Sequence, residues 1–136
     1  MAKRPAAQRI ADIYTNIEAA RRSIQSLTRE QFEADQDKPY AVLYRLQSAS
    51  EATTRLMADW PEEYERLERD HPDVNWRMFR SLGNRYRHGY DQIDYELVWK
   101  DLHGYTRDIQ RALASDLAML NVAFGDDPRT EGDRNR

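Results

Sequence analysis

The chain has 136 residues, with 21 Lys and Arg against 24 Asp and Glu, five glycines, five prolines and no cysteine. That length suits one domain with one core. The absence of cysteine excludes disulfides, thiolate metal sites and cysteine nucleophiles and fits a reducing cytoplasm, while the acidic balance excludes a protein that coats nucleic acid over its whole surface. No apolar run reaches the roughly 20 residues of a membrane span. No apolar signal segment follows Met1-Ala2-Lys3-Arg4, so a cytoplasmic location away from membranes is expected.

Residues 1–7 read as an N-terminal tail, 8–122 as a helical bundle and 123–136 as a polar tail with nothing to bury. Ile10, Ile13, Tyr14, Ile17, Ala20, Ile24 and Leu27 recur at threes and fours, the stripe of a first helix. Thr28-Arg29-Glu30-Gln31 reads as a capping box flanked by Leu27 and Phe32, starting a short helix that fades near Asp35. Asp37-Lys38-Pro39 starts another, a capping carboxylate followed by proline in the first turn. Val42, Leu46, Ala49, Thr53 and Leu56 give that helix the stripe of a bundle member, running to about Ala58. Pro61 opens a short amphipathic segment with Trp60, Tyr64 and Leu67 inside.

Asn75 is the expected cap of a helix from Trp76 to about His88-Gly89, with Trp76, Phe79, Leu82 and Tyr86 on its apolar face. Asp94 caps the last helix, whose stripe of Val98, Leu102, Tyr105, Ile109, Leu113 and Leu117 is bent or interrupted at Gly104. No strand signal is present. The fold class is therefore all-α, an up-and-down bundle of four to five helices.

Segment 76–90 holds four of the 21 cations, one histidine and none of the 24 acids. A local field of that sign lets an acidic protein present a site for an anion. On a continuous helix, Arg80, Asn84 and His88 fall at i, i+4 and i+8 on one face, with Arg87 at its edge. Histidine moves protons near neutrality, and arginine grips a phosphate with two donors. RNA brings its own nucleophile, the 2′-hydroxyl, so these groups suffice for metal-free cleavage. A second reading stands beside this one: an arginine-rich helix face is also an ordinary solvated face or half of an ion-pair network. Glu51 reads either as a buried partner of a central arginine or as a partly exposed charge. His71 and His103 share no metal-ligand spacing, Gly83 and Gly89 make no phosphate loop, and Trp60, Trp76 and Trp99 read as core.

From Ile10 to Leu120 the order of features resembles the HepT-type toxins of the HEPN family. These features are the Thr28–Phe32 start with Asp35, Ser50-Glu51-Ala52, and Pro72-Asp73-Val74-Asn75-Trp76-Arg77. Asn84, His88-Gly89-Tyr90 and Ile93-Asp94-Tyr95-Glu96-Leu97-Val98-Trp99 continue the match. The resemblance implies a homodimeric helical bundle with a composite groove, metal-independent endoribonuclease activity without a cofactor, and inhibition by a nucleotidyltransferase antitoxin. It makes Tyr90, two residues past the histidine, a position for regulatory adenylylation. The family motif has arginine directly before the asparagine; here that residue is Gly83. Arg87 or Arg80 then supplies the guanidinium, or the protein is a silent module that binds the nucleotidyltransferase or RNA without cutting it.

Overall fold

The computed structural model describes residues 3–89 and 92–124. Among the described residues seven helices follow in order: α1 (Ala6–Ser23), α2 (Arg29–Ala34), α3 (Lys38–Asp59), α4 (Pro61–Asp70), α5 (Trp76–Arg80), α6 (Tyr95–His103) and α7 (Tyr105–Phe124). Between α5 and α6 lies a hairpin of two short strands, β1 (Arg87–His88) and β2 (Gln92–Ile93). The architecture is an all-α bundle. α1 packs along α3 and α7, and α3 also meets α2, α4, α5 and α6. No helix among the described residues is long and apolar enough to cross a membrane.

The core is built from the apolar stripes. Ile10, Ile13 and Ile17 of α1, Val42, Leu46 and Leu56 of α3, and Leu102, Ile109 and Leu113 of α6 and α7 are all buried. The local start signals act as their chemistry dictates. The Thr28 hydroxyl accepts from the Gln31 amide at 3.1 Å and the Gln31 side chain accepts from the Thr28 amide at 2.9 Å, a reciprocal capping box. Asn75 and Asp94 accept from the amides of Met78 and Leu97, each at 3.0 Å, and so open α5 and α6. Gly104 separates α6 from α7. A Cβ there would meet the Lys100 carbonyl oxygen at 3.2 Å.

Four details differ from the residue pattern. The carboxylate that opens α3 belongs to Asp35, whose Oδ1 accepts from the amides of Asp37 and Lys38 at 2.9 and 2.8 Å. Asp37 makes no capping bond with its side chain. Residues 3–5 are tied down: Lys3 donates to the Asp59 carbonyl, the Trp60 indole donates to the Arg4 carbonyl, and Arg4 holds Asp12 with two bonds. Glu51 is an exposed partner of Arg55 one turn along α3, not of a central arginine.

The fourth difference is the largest. The expected helix over 76–88 stops at Arg80. In a continuing helix the Phe79 carbonyl accepts from the Gly83 amide. Here it accepts from the buried Ser50 hydroxyl of α3 at 2.7 Å, while the Ser81 hydroxyl takes the Arg77 carbonyl at 2.9 Å. A glycine of low helix propensity stands next in line, and the chain turns through 83–86 and enters the hairpin. Arg87 pairs with Ile93 and His88 with Gln92, antiparallel. Gly89 begins the connection at φ +80°, a conformation that favours glycine.

The Asp35 cap carries a pH signature. Donation from the Lys38 and Asp37 amides holds its carboxyl below the ordinary value of 3.8. A depressed folded value means that the stabilisation is complete above the ordinary value and is lost as pH falls through the folded one. Asp35→Asn is expected to lower the melting temperature at neutral pH, and the gap to the parent is expected to close below pH ~3.8. Melts followed by circular dichroism across the acid limb check this, and a gap independent of pH refutes it.

Candidate functional site

The turn and hairpin are held by buried partners. Leu82 and Tyr86 are inserted into the core. Arg85 Nε donates to Asp101 Oδ2 at 2.8 Å and its Nη2 donates to Oδ1 at 3.2 Å. Asp101 sits on α6 and is only 7% exposed. A buried carboxylate needs such a partner, because desolvation otherwise outweighs whatever it gains. The Asp101 bond raises the Arg85 guanidinium above its ordinary value, offsetting the cost of its own burial. Behind it the hydroxyls of Tyr86 and Tyr105 lie 2.6 Å apart. Burial pushes both phenols well above the ordinary tyrosine range, so both stay neutral donors at physiological pH. The Tyr86 carbonyl accepts from the Asp94 amide at 2.7 Å, which ties the two arms of the hairpin to the start of α6.

The four arginines of the basic segment therefore serve different ends. Arg85 is committed to Asp101. Arg80 lies over the Tyr64 ring at 5.4 Å and near Glu68 at 4.0 Å, both on α4. Arg77 is exposed. Arg77 borders a shallow cavity with Glu68 and Trp76, and Arg87 lines a cavity of about 320 Å³ between the hairpin and the N-terminal half of α3. The expected single face of Arg80, Asn84 and His88 does not form, because Asn84 lies in the exposed turn and His88 in β1. The structure brings together instead Arg87, the backbone of His88 beside it, and Gly83, which borders the same cavity. Tyr90, expected two residues beyond the histidine, lies outside the described residues.

Gly83 has a specific geometry. A Cβ built on it would meet nothing within 4 Å, and its backbone does not lie in the left-handed region. Within this chain the glycine is thus required neither for close packing nor for conformation. A side chain at position 83 would extend from the cavity wall.

α3 supplies the opposite wall with Tyr40, Tyr44 and Gln47, over a floor that includes Leu43 and Ile93. The residue pattern assigned none of these a role. Their signal is a pair of tyrosines four residues apart lying off the apolar stripe. Asp101 also went unmarked, since an acid among the apolar positions of the last helix reads as an ordinary surface charge. Among the described residues no group of three or more His, Asp or Glu side chains is placed to hold a metal ion. His71 Nε2 lies 3.0 Å from Asp116 Oδ2 and joins the end of α4 to α7, while His103 Nδ1 lies 2.8 Å from the Trp99 carbonyl of its own helix.

Comparison with known proteins yields one family model, described as "Ribonuclease HepT-like", which matches residues 13–115. A curated protein of Thermococcus cleftensis, "Probable ribonuclease HepT", is 26% identical over 91 residues, covering 67% of this chain and 76% of that protein. No solved structure matches.

Loss of the Arg85 clamp is expected to free the turn. Arg85→Ala leaves the Asp101 carboxylate buried and unpaired, at a cost of about 1–3 kcal/mol. The amides of Arg87 and Asp94, which donate to the Asn84 and Tyr86 carbonyls, are expected to exchange hydrogen faster while those of α1 and α3 do not. Uniform exchange across the chain in the variant contradicts this positioning role.

Proposed function

The chain belongs to the HepT-like ribonuclease family, and from that premise we propose that it is an RNA-cleaving toxin component acting as a homodimer and restrained by a nucleotidyltransferase antitoxin. The observation that carries the proposal is the position of Arg87. Of the four arginines of the basic segment it is the one that shares a cavity with Gly83 of the family motif, and it is bonded in sequence to His88.

The chemistry is phosphoryl transfer within the RNA strand. The 2′-hydroxyl attacks the adjacent phosphorus, forming the O2′–P bond as the P–O5′ bond breaks. The products are a 2′,3′-cyclic phosphate and a free 5′-hydroxyl. One proton leaves the 2′-oxygen and one reaches the departing 5′-oxygen. His88 is assigned this proton transfer, a task suited to imidazole near neutrality. Arg87 is assigned the phosphate and the charge that grows on its oxygens. Asn84, exposed in the turn just before the hairpin, is assigned to orient the phosphate. Arg80 is given no part, since Glu68 and Tyr64 hold it toward α4. Tyr90 is assigned as the acceptor of an adenylyl group from the antitoxin.

A second reading is favoured by Gly83. With no guanidinium at the motif position, the protein is a module that binds RNA or the nucleotidyltransferase without cutting. The two readings separate in one experiment on purified protein with RNA in the presence of a chelator. An active parent is expected to lose at least about 10²-fold in rate as His88→Ala, and unchanged cleavage by that variant removes the catalytic assignment. Gly83→Arg is expected to fold normally, because the added side chain enters open space, and to increase cleavage. A silent parent that gains activity with Gly83→Arg establishes the second reading.

A further inference from the structure

Among the described residues the exposed large side chains of apolar body are Tyr40 at 58%, Tyr44 at 69% and Met119 at 69%. Two of these three line the cavity that holds Arg87. Tyr40 and Tyr44 stand four residues apart on α3, so their rings lie on one helix face a single turn apart. Gln47, one turn further, and Gln92 from β2 add side-chain amides to the same lining.

We propose that Tyr40 and Tyr44 form a stacking subsite for unpaired bases of the RNA strand, beside the phosphate position of Arg87. This rests on the ribonuclease reading and adds the substrate class to it: single-stranded RNA, or loops with bases turned outward. Three properties point to that occupant. Exposed aromatic faces next to a guanidinium match the alternation of base and phosphate in a nucleotide chain. The cavity mixes apolar and aromatic side chains, Leu43, Ile93 and the tyrosines, with the amides of Gln47 and Gln92 and the Arg87 guanidinium, a lining that suits a flat ring with polar edges. Duplex RNA buries its base faces in its own stack and has none to offer. The amides of Gln47 and Gln92 carry both donors and acceptors, the groups that read a base edge. Neither tyrosine ring is needed for the core, since their exposure leaves little to lose on truncation.

The test uses the full chain and a fluorescein-labelled 2′-O-methyl RNA oligonucleotide, which lacks the nucleophile and stays intact. Anisotropy is measured with the probe single-stranded and annealed to its complement. The single strand is expected to bind more tightly than the duplex. Tyr40→Ala and Tyr44→Ala are each expected to weaken single-strand binding at least about fivefold, the lower end for loss of one stacked base. Tyr44→Phe, which keeps the ring, is expected to retain parental affinity. If both alanine variants bind as the parent does while Arg87→Ala binds more weakly, RNA binding stands and the stacking subsite falls. If the parent binds neither form, the ribonuclease reading falls with it. Light scattering on the same variants adds a further check: tyrosine variants that bind RNA normally but shift from dimer to monomer overturn the subsite in favour of a contact between protomers.

Discussion

A buried hydroxyl anchors the basic segment at the point where its helix ends. Ser50, buried on α3, donates to the Phe79 carbonyl, an acceptor that the next helical turn would need. A carbonyl oxygen has two lone pairs, and in α3 the Ala49 carbonyl takes the Thr53 hydroxyl at 2.8 Å within an unbroken helix, so the Ser50 bond fixes where α5 docks on α3 without forbidding a further turn. The helix that Asn75 caps ends after five residues. Beyond it the described residues 81–89 and 92–93 bury their apolar side chains and satisfy their backbone by other means. Leu82 and Tyr86 do the first, and the Arg85–Asp101 pair, the Asp94–Tyr86 backbone bond and the short ladder do the second.

This arrangement divides one run of positive charge into structural and available parts. Arg85 compensates a carboxylate that the bundle has enclosed, and Arg80 lies against the aromatic ring and carboxylate of α4. Arg85 is bound by two hydrogen bonds and Arg80 is drawn to α4 at longer range, so both contribute less to a field over solvent than their number suggests. Arg87, projected by the hairpin, faces a cavity with an uncommitted wall. The density of arginine in the sequence thus overstates the cationic character of any one place on the surface. The bland reading of that density, an ion-pair network, is right for two of the four residues.

The same constraint explains which features are legible in the sequence. The capping box at Thr28–Gln31, the Asn75 and Asp94 caps, the break at Gly104 and the stripes of α1, α3 and α7 all depend on groups within a few residues of one another. Such groups find the same partners whatever the rest of the chain does. The start of α3 marks the limit of this rule: two acids two residues apart both satisfy the pattern, and only the backbone path selects Asp35 over Asp37. The spacing of Trp76, Phe79, Leu82 and Tyr86 fits a helix equally well, and all four are buried as a helix face would require. They reach burial by another route, one turn of helix followed by an irregular turn. Periodicity records which residues face the core, not the backbone that brings them there.

The sequence by itself determined the all-α class, the family, the helix starts and the identity of the motif residues Gly83, Asn84 and His88. These follow from local hydrogen-bonding chemistry and from residue order. Only the tertiary structure decided that the motif lies on a turn and hairpin instead of a helix, that Arg87 and not Arg80 faces the cavity, and that two tyrosines of α3 stand across from it. Each of those outcomes depends on a contact between residues far apart in the chain, Ser50 with Phe79 and Arg85 with Asp101, whose strength comes from burial. Burial belongs to the assembled bundle and to no single stretch of it.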